Sequence, residues 1–161
     1  VSAIFVSPGK VAYLFIVTAL VLFAGQISQI KRTRPGKEPT FLTSLLVGIS
    51  QAFALLPGVS RSGMTISSGL LGGMKAESAF KFSFLLSIPV ILGAAVYKSL
   101  KIDFAGIVLS NLNSYIAGML TAFAVGFLSL MILWKAVKAR RLFIFGIYCL
   151  LLGITGILFW K

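Results

Sequence analysis

Long runs without a single charged residue restrict the fold of this sequence more than any other feature. Four of them cover residues 11–30, 82–97, 104–134 and 142–160. A helix needs about 20 apolar residues to cross the hydrocarbon core of a bilayer. Hydrophobic residues make up 58% of the chain and charged residues 11%, whereas soluble domains contain about 45–50% and about 25%. An aqueous globular enzyme is therefore excluded, and the pattern predicts an all-α, polytopic membrane protein.

The four runs predict about four full spanning helices in one integral membrane domain, residues 1–161. Lys98 can extend the run 82–97, because its aliphatic stem can lie in the apolar region while the ammonium reaches the interface. The Ser-Asn-Leu-Asn stretch at 110–113 predicts a turn, so the third span is expected to start near Ser114. Pro89 is expected to kink the helix that contains it.

Residues 40–74 follow a different pattern. An apolar stretch at 40–56 ends at Pro57-Gly58, and a second stretch at 62–74 has only 13 residues, which rise about 20 Å as a helix. Both are short for a crossing, so they predict a re-entrant helical hairpin, 40–74, that enters and leaves on one side. Non-helical backbone at that depth requires surrounding protein or a water-filled cavity. An ordinary loop at the membrane surface is the alternative.

The chain is strongly basic, with 15 Lys and Arg residues against three acids and a net charge of +12. The acids, Glu38, Glu77 and Asp103, all lie in predicted loops. Because the cations lie between apolar runs, they indicate anionic lipid headgroups and membrane orientation rather than a nucleic-acid partner. With Ile30 at the cytoplasmic end, ten cations lie inside and four outside, which favours that orientation. The inner set is Lys31, Arg32, Arg34, Lys37, Lys75, Lys81, Lys135, Lys138, Arg140 and Arg141, and the outer set is Lys10, Lys98, Lys101 and Lys161.

Arg61 belongs to neither set, because it follows the Pro57-Gly58 break inside the predicted hairpin. An ionised side chain well inside a bilayer costs at least about 2.5–3.5 kcal/mol. None of the three acids is an obvious partner, so Arg61 requires an anionic ligand or an acid from another segment. The alternative is an arginine that extends to the interface and contacts lipid phosphate.

The neighbours of Arg61 favour an anionic ligand. Ser60 or Ser62 can N-cap the second arm, and a helix N-terminus carries roughly half a positive charge and readily binds phosphate. The guanidinium of Arg61 is a planar fork that matches phosphate oxygens. The hydroxyl of Thr65 adds a donor, and Gly58 and Gly63 let the backbone approach closely. Together these residues predict an oxyanion cradle of the kind that phosphoryl transfer needs.

Small and polar residues also recur at helical spacing, and they have two interpretations. They can line a polar cavity, or they can allow close packing of membrane helices. Packing is favoured for Ser44, Gly69 and Gly73, and ligand contact is favoured for Ser60, Ser62 and Thr65. The three faces are Ser44, Gly48 and Gln51 on the first arm, Ser62, Thr65, Gly69 and Gly73 on the second, and Ser83 and Ser87 on the next span.

Two further counts limit the chemistry. The chain has no histidine and one cysteine, Cys149, which lies in an apolar run and is expected to be a small packing residue. No carboxylate lies in a predicted membrane segment, and hydroxyls are poor nucleophiles without an adjacent base. The chain can therefore bind and polarise a phosphate, but it lacks the general base that a complete set of catalytic residues needs.

The stretch 51–66, with Pro-Gly-Val-Ser-Arg-Ser-Gly-Met-Thr-Ile at residues 57–66 at its centre, resembles the signature of the undecaprenyl-diphosphatase family, the bacitracin-resistance phosphatases. Residues 82–90, Phe-Ser-Phe-Leu-Leu-Ser-Ile-Pro-Val, resemble that family too, at the expected distance. The resemblance implies an α-helical fold of two inverted repeats, each with a re-entrant hairpin, of which this chain would be the C-terminal half. It also implies hydrolysis of the lipid carrier diphosphate, used in cell-wall synthesis, at the outer side of the bacterial plasma membrane.

The resemblance further implies roles for particular residues. Arg61 would hold the diphosphate, with Ser60 and Thr65 assisting catalysis, and Gln51 would lie where the other repeat carries an acid. Substrate contacts would also come from Gly58, Ser62 and Gly63. A divalent cation, Mg or Ca, is expected from the family, although this chain shows no ligands for it.

The family's acidic motif and histidine belong to the N-terminal half, so this chain alone is expected to be inactive. The implied partners are a polyprenyl diphosphate lipid, the bilayer and the missing half, with a second copy of the chain as a further candidate. A transporter or flippase of an anionic polyprenyl lipid is the alternative, because inverted repeats with broken helices also build transporters. A phosphatidic-acid-type phosphatase is disfavoured because that family needs histidines.

Overall fold

A computed structural model describes residues 8–33, 35–101 and 112–159. Within these ranges the regular elements are helices joined by turns and loops, with one isolated bridge between Lys37 and Met74. The all-α prediction is therefore confirmed. The six helices of the described ranges are α1 (Pro8–Lys31), α2 (Phe41–Phe53), α3 (Arg61–Leu71), α4 (Ala76–Ser99), α5 (Leu112–Lys138) and α6 (Phe143–Phe159).

Three of these helices are long and apolar enough to cross a bilayer, namely Gly9–Lys31 within α1, all of α4 and all of α5. The protein is accordingly a membrane protein. The fourth predicted span, 142–160, corresponds to α6, which has only 17 residues in the described range; Trp160 lies outside that range. Three helices of the described ranges are therefore long enough for a crossing, and the fourth span stays a prediction.

Several predicted boundaries need correction. Leu112 and Asn113, expected in a turn, form the start of α5, whereas residues 110–111 lie outside the described ranges, as do Arg34, Asp103 and Lys161. Glu77 lies in the first turn of α4 rather than in a loop, where its charge faces the positive end of the helix. Its carboxylate also pairs with Lys81 at 2.8 Å. Helix α4 remains helical through Pro89.

The described residues divide into two units, and the first comprises 8–84 and 136–159. Helix α3 forms its core, although it has only 11 residues. Most of its side chains are small, so neighbouring helices can approach closely on several sides. Its buried residues are Gly63, Thr65, Ile66, Ser67, Ser68, Gly69 and Leu70.

Helices α2 and α4 pack antiparallel to α3. The hydroxyl oxygens of Ser50 on α2 and Ser68 on α3 lie 2.5 Å apart. On α4, Ala79 lies against Gly69, where an added Cβ would come within 3.0 Å of the Ala79 Cβ. Gly69 is therefore a packing residue, as its spacing indicated.

Helix α1 runs parallel to α3, and three contacts in order along both helices define this direction. The hydroxyl of Thr18 accepts a hydrogen bond from the Ser60 N–H at 3.3 Å. Farther along, a Cβ on Gly25 would lie 2.6 Å from the Ser67 Cβ. At the end of α1, the Arg32 guanidinium donates to the Leu70 carbonyl at 2.7 Å. Helix α1 thus lies beside the whole length of α3.

Helix α6 packs antiparallel to α1. A Cβ on Gly153 would lie 2.6 Å from Ile16 Cγ1, so glycine is needed for this close approach. The side chain of Gln26 on α1 holds the turn that precedes α6: it donates to the Arg140 carbonyl and accepts from the Phe143 N–H at 2.6 Å. Cys149 is buried on α6, which confirms the expected packing role.

Both ends of the α2–α3 segment lie near the C-terminal end of α1. Helix α3 ends in a Schellman motif, with Gly73 at φ 96° and the Met74 N–H bonded to the Gly69 carbonyl at 2.9 Å. The residues that follow bridge back to the segment before α2, through Lys37 N–H and the Gly73 carbonyl at 2.9 Å. Glu38 pairs with Lys75 at 2.7 Å, and hydrogen bonds from Lys75 and Ser78 lower the pKa of Glu38.

The described part of the second unit comprises residues 85–101 and 112–135, the later part of α4 and most of α5. Its apolar side chains are largely exposed, and none of the most apolar stretch of α5 is buried. Exposed apolar surface of this extent requires hydrocarbon or another protein around it. The aromatic rings of Phe123 and Phe127 stack along α5 with centroids 6.3 Å apart.

Two adjacent serines on α3 offer a test of this packing. Ser68 is bonded to Ser50, whereas the buried hydroxyl of Ser67 has no hydrogen-bond partner among the described residues. We expect Ser68→Ala to lower the free energy of unfolding by about 0.5–1.5 kcal/mol. Ser67→Ala should leave it unchanged or raise it, because an unsatisfied buried hydroxyl costs about 1–3 kcal/mol. Thermal unfolding of the purified protein in detergent measures both, and equal losses would contradict the assigned bonding.

Candidate anion-binding site

The segment between α2 and α3, residues 54–60, is a tight break stabilised by turns. Ala54 caps α2, and the Val59 N–H donates to the Leu56 carbonyl at 3.2 Å. Gly58 adopts φ 90°, a left-handed conformation that costs residues with a Cβ about 1–2 kcal/mol. A Cβ at this position would also lie only 2.8 Å from the Val11 carbonyl oxygen. Two independent constraints therefore require glycine here.

Ser60 forms the N-cap of α3, which decides between the two serines that the sequence offered. Its hydroxyl accepts a hydrogen bond from the Gly63 N–H at 3.2 Å. A Cβ on Gly63 would lie 2.9 Å from this hydroxyl oxygen, so glycine makes room for the cap. The first N–H groups of a helix have no intrahelical partner. Those of Arg61 and Ser62 are therefore directed into the break.

Arg61 is the first residue of α3 and its side chain is half-buried. The guanidinium forms no ion pair with a described residue, since the two ion pairs of those ranges join Lys75 to Glu38 and Lys81 to Glu77. Both acids lie toward the opposite end of α3, beyond its Schellman turn. Arg61 therefore adds a side-chain charge to the positive end of the helix. Ser62, the next residue, is also half-buried.

Thr65 is fully enclosed, with 0% of its surface exposed. Its hydroxyl oxygen lies 2.8 Å from the Arg61 carbonyl and 2.5 Å from the Ser83 hydroxyl on α4. One hydroxyl can donate a single hydrogen bond, so this arrangement occupies the donor that was expected to reach a ligand. In this conformation Thr65 joins the first turn of α3 to α4.

A double-mutant cycle tests that role. We expect Thr65→Val and Ser83→Ala each to destabilise the protein, and their combination to cost less than the sum by about 0.5–1.5 kcal/mol, because both remove the same hydrogen bond. Unfolding of the four variants in detergent provides the coupling energy. If Thr65 acts independently of Ser83, the two effects will add.

The break lies beside the first half of α1. Gly58 packs against Val11, and Thr18, which bonds Ser60, is the eleventh of the 24 residues of α1. The far end of α3 lies beside Arg32, just after α1 ends. Helix α3 therefore runs from near the middle of α1 to its C-terminal end.

At the interface of α3 and α4, the small residues favour packing over a common polar cavity. The Thr65–Ser83 contact and the Gly69–Ala79 contact close the α3–α4 interface where a cavity was the alternative. Gly73 is not on the helical face at all, because it lies in the left-handed turn after α3. Gly48 on α2 has nothing within 4 Å of an added Cβ, and Gln51 is buried on the same helix.

A pocket of about 380 Å³ lies between α1 and α6, and its lining includes Val11, which also contacts Gly58 of the break. It is almost entirely apolar, and its one hydroxyl, on Thr155, is bonded within α6 at 2.8 Å. None of the residues predicted to bind an anion lines it. The lining residues are Val11, Ala12, Phe15, Leu152, Thr155, Gly156 and Phe159.

The described residues do not fit a metal site. No group of three or more acidic or cysteine side chains lies together within 8–33, 35–101 and 112–159. Glu38 and Glu77 are each engaged by a lysine. The expected divalent cation therefore has no ligand set in this part of the chain.

Two residues that hold the ends of α3 belong to no motif that the sequence pattern revealed. Thr18 supports the break and Arg32 binds the end of α3, yet Thr18 was one residue of an apolar run and Arg32 was counted only as an inner cation. Polar residues within the apolar run 11–30 could have indicated such contacts. Thr18, Gln26, Ser28 and Gln29 are the polar residues of that run, and each bonds to another segment.

The fold is that of an all-helical membrane protein, in which a half-buried arginine begins a buried helix at a break between two short helices. The family model described as "Bacitracin resistance protein BacA" matches residues 1–155. This chain belongs to that family, as the motif at residues 57–66 indicated.

Curated relatives agree with this assignment. A protein of Treponema denticola named undecaprenyl-diphosphatase is 43% identical over 149 residues, which cover 91% of this chain and 54% of the relative. One of Thermosipho africanus with the same name is 39% identical, covering 91% and 55%. Another of that name, from Methanothermobacter thermautotrophicus, is 40% identical, covering 94% of this chain and 84% of the relative. The chain thus spans about half the length of the first two relatives.

Proposed function

We propose that the protein containing this chain is a membrane phosphatase that hydrolyses undecaprenyl diphosphate to undecaprenyl phosphate. The observation that carries this proposal is the Arg61 guanidinium, which has no acidic partner among the described residues and lies at the N-terminus of the buried helix α3. The names of the relatives supply the lipid diphosphate as the anion that fits this site. Such an enzyme recycles the lipid carrier of cell-wall synthesis in the bacterial plasma membrane.

The proposal includes a re-entrant hairpin at residues 40–74. Its support is that α2 and α3 have only 13 and 11 residues, and that the break lies beside Thr18, near the middle of α1. Both outer ends of the hairpin lie near the C-terminal end of α1. With that end of α1 in the cytoplasm, as the charge count favours, the cradle reaches mid-depth or the outer half of the bilayer.

In the proposed reaction, this chain binds the diphosphate and neutralises its negative charge. Arg61 and the free N–H groups of the first turn of α3 neutralise the terminal phosphoryl oxygens, where negative charge is concentrated during transfer. Attack by an oxygen nucleophile forms a new P–O bond and breaks the bridging P–O bond. The lipid monophosphate leaves, and with water as the ultimate nucleophile inorganic phosphate is released. Ser60 and Thr65 shape this site through the cap and the first turn.

A base and an activated nucleophile must come from elsewhere. The sequence has no histidine, and Glu38 and Glu77 lie toward the other end of α3. We assign these groups, and the ligands of any divalent cation, to a segment corresponding to the part of the relatives that this chain does not match. Residues 1–161 alone are therefore expected to release no phosphate.

Phosphate release from undecaprenyl diphosphate tests the proposed function. The full-length protein, purified into detergent or liposomes, should release inorganic phosphate at a rate proportional to enzyme concentration. The competing function is a transporter or flippase, which broken helices at mid-membrane also support. Movement of the lipid diphosphate between leaflets without phosphate release would reject the phosphatase and favour the transporter.

A further inference from the structure

We propose that Arg32 is a positioning residue that fixes the axial position of α3, and with it the anion cradle, against α1. This inference rests on the proposed function, because it concerns the same site. Arg32 does not contact the cradle. It acts from the opposite end of α3, where its half-buried guanidinium binds two backbone carbonyls.

The guanidinium of Arg32 donates hydrogen bonds to two backbone carbonyls at the C-terminal end of α3. Nη2 donates to the Leu70 carbonyl at 2.7 Å and Nη1 donates to the Met74 carbonyl at 2.9 Å. The hydroxyl of Ser28, one turn earlier on α1, donates to the same Leu70 carbonyl at 3.3 Å. The two carbonyls lie on either side of Gly73, the left-handed residue of the Schellman turn. Only a rigid fork with two separated donors spans this turn.

The N-terminal end of α3 is held by the same helix. The Thr18 hydroxyl accepts from the Ser60 N–H at 3.3 Å and lies 3.5 Å from the Gly58 carbonyl. The carbonyls that Arg32 binds, those of Leu70 and Met74, lie ten and fourteen residues after Ser60. Helix α1 and the residue that follows it therefore hold α3 at both of its ends.

The anchors differ in strength. Thr18 accepts one neutral and fairly long hydrogen bond from the Ser60 N–H, whereas Arg32 provides two short, charge-assisted bonds to carbonyls at the negative end of a helix. Because a short helix moves as a rigid rod, displacement at Leu70 is transmitted to Arg61 at the other end. A shift of about 1 Å in a catalytic group can cost roughly 10²-fold in rate. Arg32 therefore determines the geometry of the cradle without contacting substrate.

The test compares variants of the full-length protein in the phosphate-release assay. We expect Arg32→Ala and Arg32→Lys both to lower kcat/KM, by up to roughly 10²-fold, because a single ammonium cannot bracket two carbonyls. Adding millimolar guanidinium chloride should restore part of the activity of Arg32→Ala, while methylammonium should not. Lys31→Ala is the matched control: it removes an exposed cation from the adjacent position and should retain wild-type activity.

The outcomes separate this inference from the proposed function. Full activity in Arg32→Lys, or equal rescue by methylammonium, would show that charge alone matters and would overturn the inference. An Arg32→Ala variant with lost activity, a lowered melting temperature and no rescue would overturn it as well, in favour of a purely structural role. If the wild-type protein releases no phosphate, the proposed function fails. Binding of inorganic pyrophosphate then decides the inference, which requires weaker binding by Arg32→Ala than by wild type.

Discussion

Replacing Arg61 by lysine should abolish most phosphate release by the full-length protein, with kcat/KM lowered roughly 10²–10³-fold, the scale seen when one preorganised donor of an anionic transition state is lost. Lysine keeps the positive charge, but it offers a compact ammonium in place of the planar fork that binds two phosphate oxygens. The steady-state rate on undecaprenyl diphosphate measures this loss. Affinity for the product, inorganic phosphate, should weaken in parallel.

Arg141→Lys is the matched control, because Arg141 is an exposed arginine in the turn between α5 and α6. The same substitution there should leave the rate unchanged. Melting temperatures of both variants should remain near that of the wild type, since the guanidinium of Arg61 forms no ion pair with the described residues. Wild-type turnover in Arg61→Lys would contradict the assigned role of the fork.

Gly58→Ala should produce the largest loss of stability of any glycine-to-alanine change in the break and α3. The left-handed φ of 90° costs about 1–2 kcal/mol for an L-residue, and overpacking against the Val11 carbonyl adds about 1–3 kcal/mol. We therefore expect a loss of roughly 2–5 kcal/mol, measured by thermal or denaturant unfolding in detergent. Phosphate release should fall as well, because the break presents Ser60 and Arg61.

Gly48→Ala is the comparison, since nothing lies within 4 Å of a Cβ at that position in α2. In a helix interior, alanine is favoured over glycine by roughly 0.5–1 kcal/mol, so this variant should be as stable as the wild type or more so. Equal destabilisation by the two substitutions would mean that neither the left-handed backbone of Gly58 nor its contact with Val11 requires glycine.

Much of the architecture follows from the linear pattern of residues. Uncharged runs of membrane length must be helical, because only internal hydrogen bonding satisfies the backbone in hydrocarbon. Helix α2 ends at Phe53, three residues before the end of the apolar stretch that precedes Pro57-Gly58. A serine followed by a glycine three residues later starts the next helix, since capping is local to the backbone. The motif around Arg61 was likewise visible as a cation without a partner in an apolar context.

Other features depend on which segments meet in space. Periodicity placed Thr65 and Ser83 on helical faces, but it could not say that the two hydroxyls would bond to each other. Periodicity also could not distinguish Arg32 from the other cations near the predicted cytoplasmic face. Arg32 differs because it donates a hydrogen bond to the C-terminal end of α3. Hydrogen bonds between residues about 40 positions apart arise only when helices pack. The sequence therefore specifies which groups can bind an anion, while the parallel packing of α1 on α3 specifies where they are held.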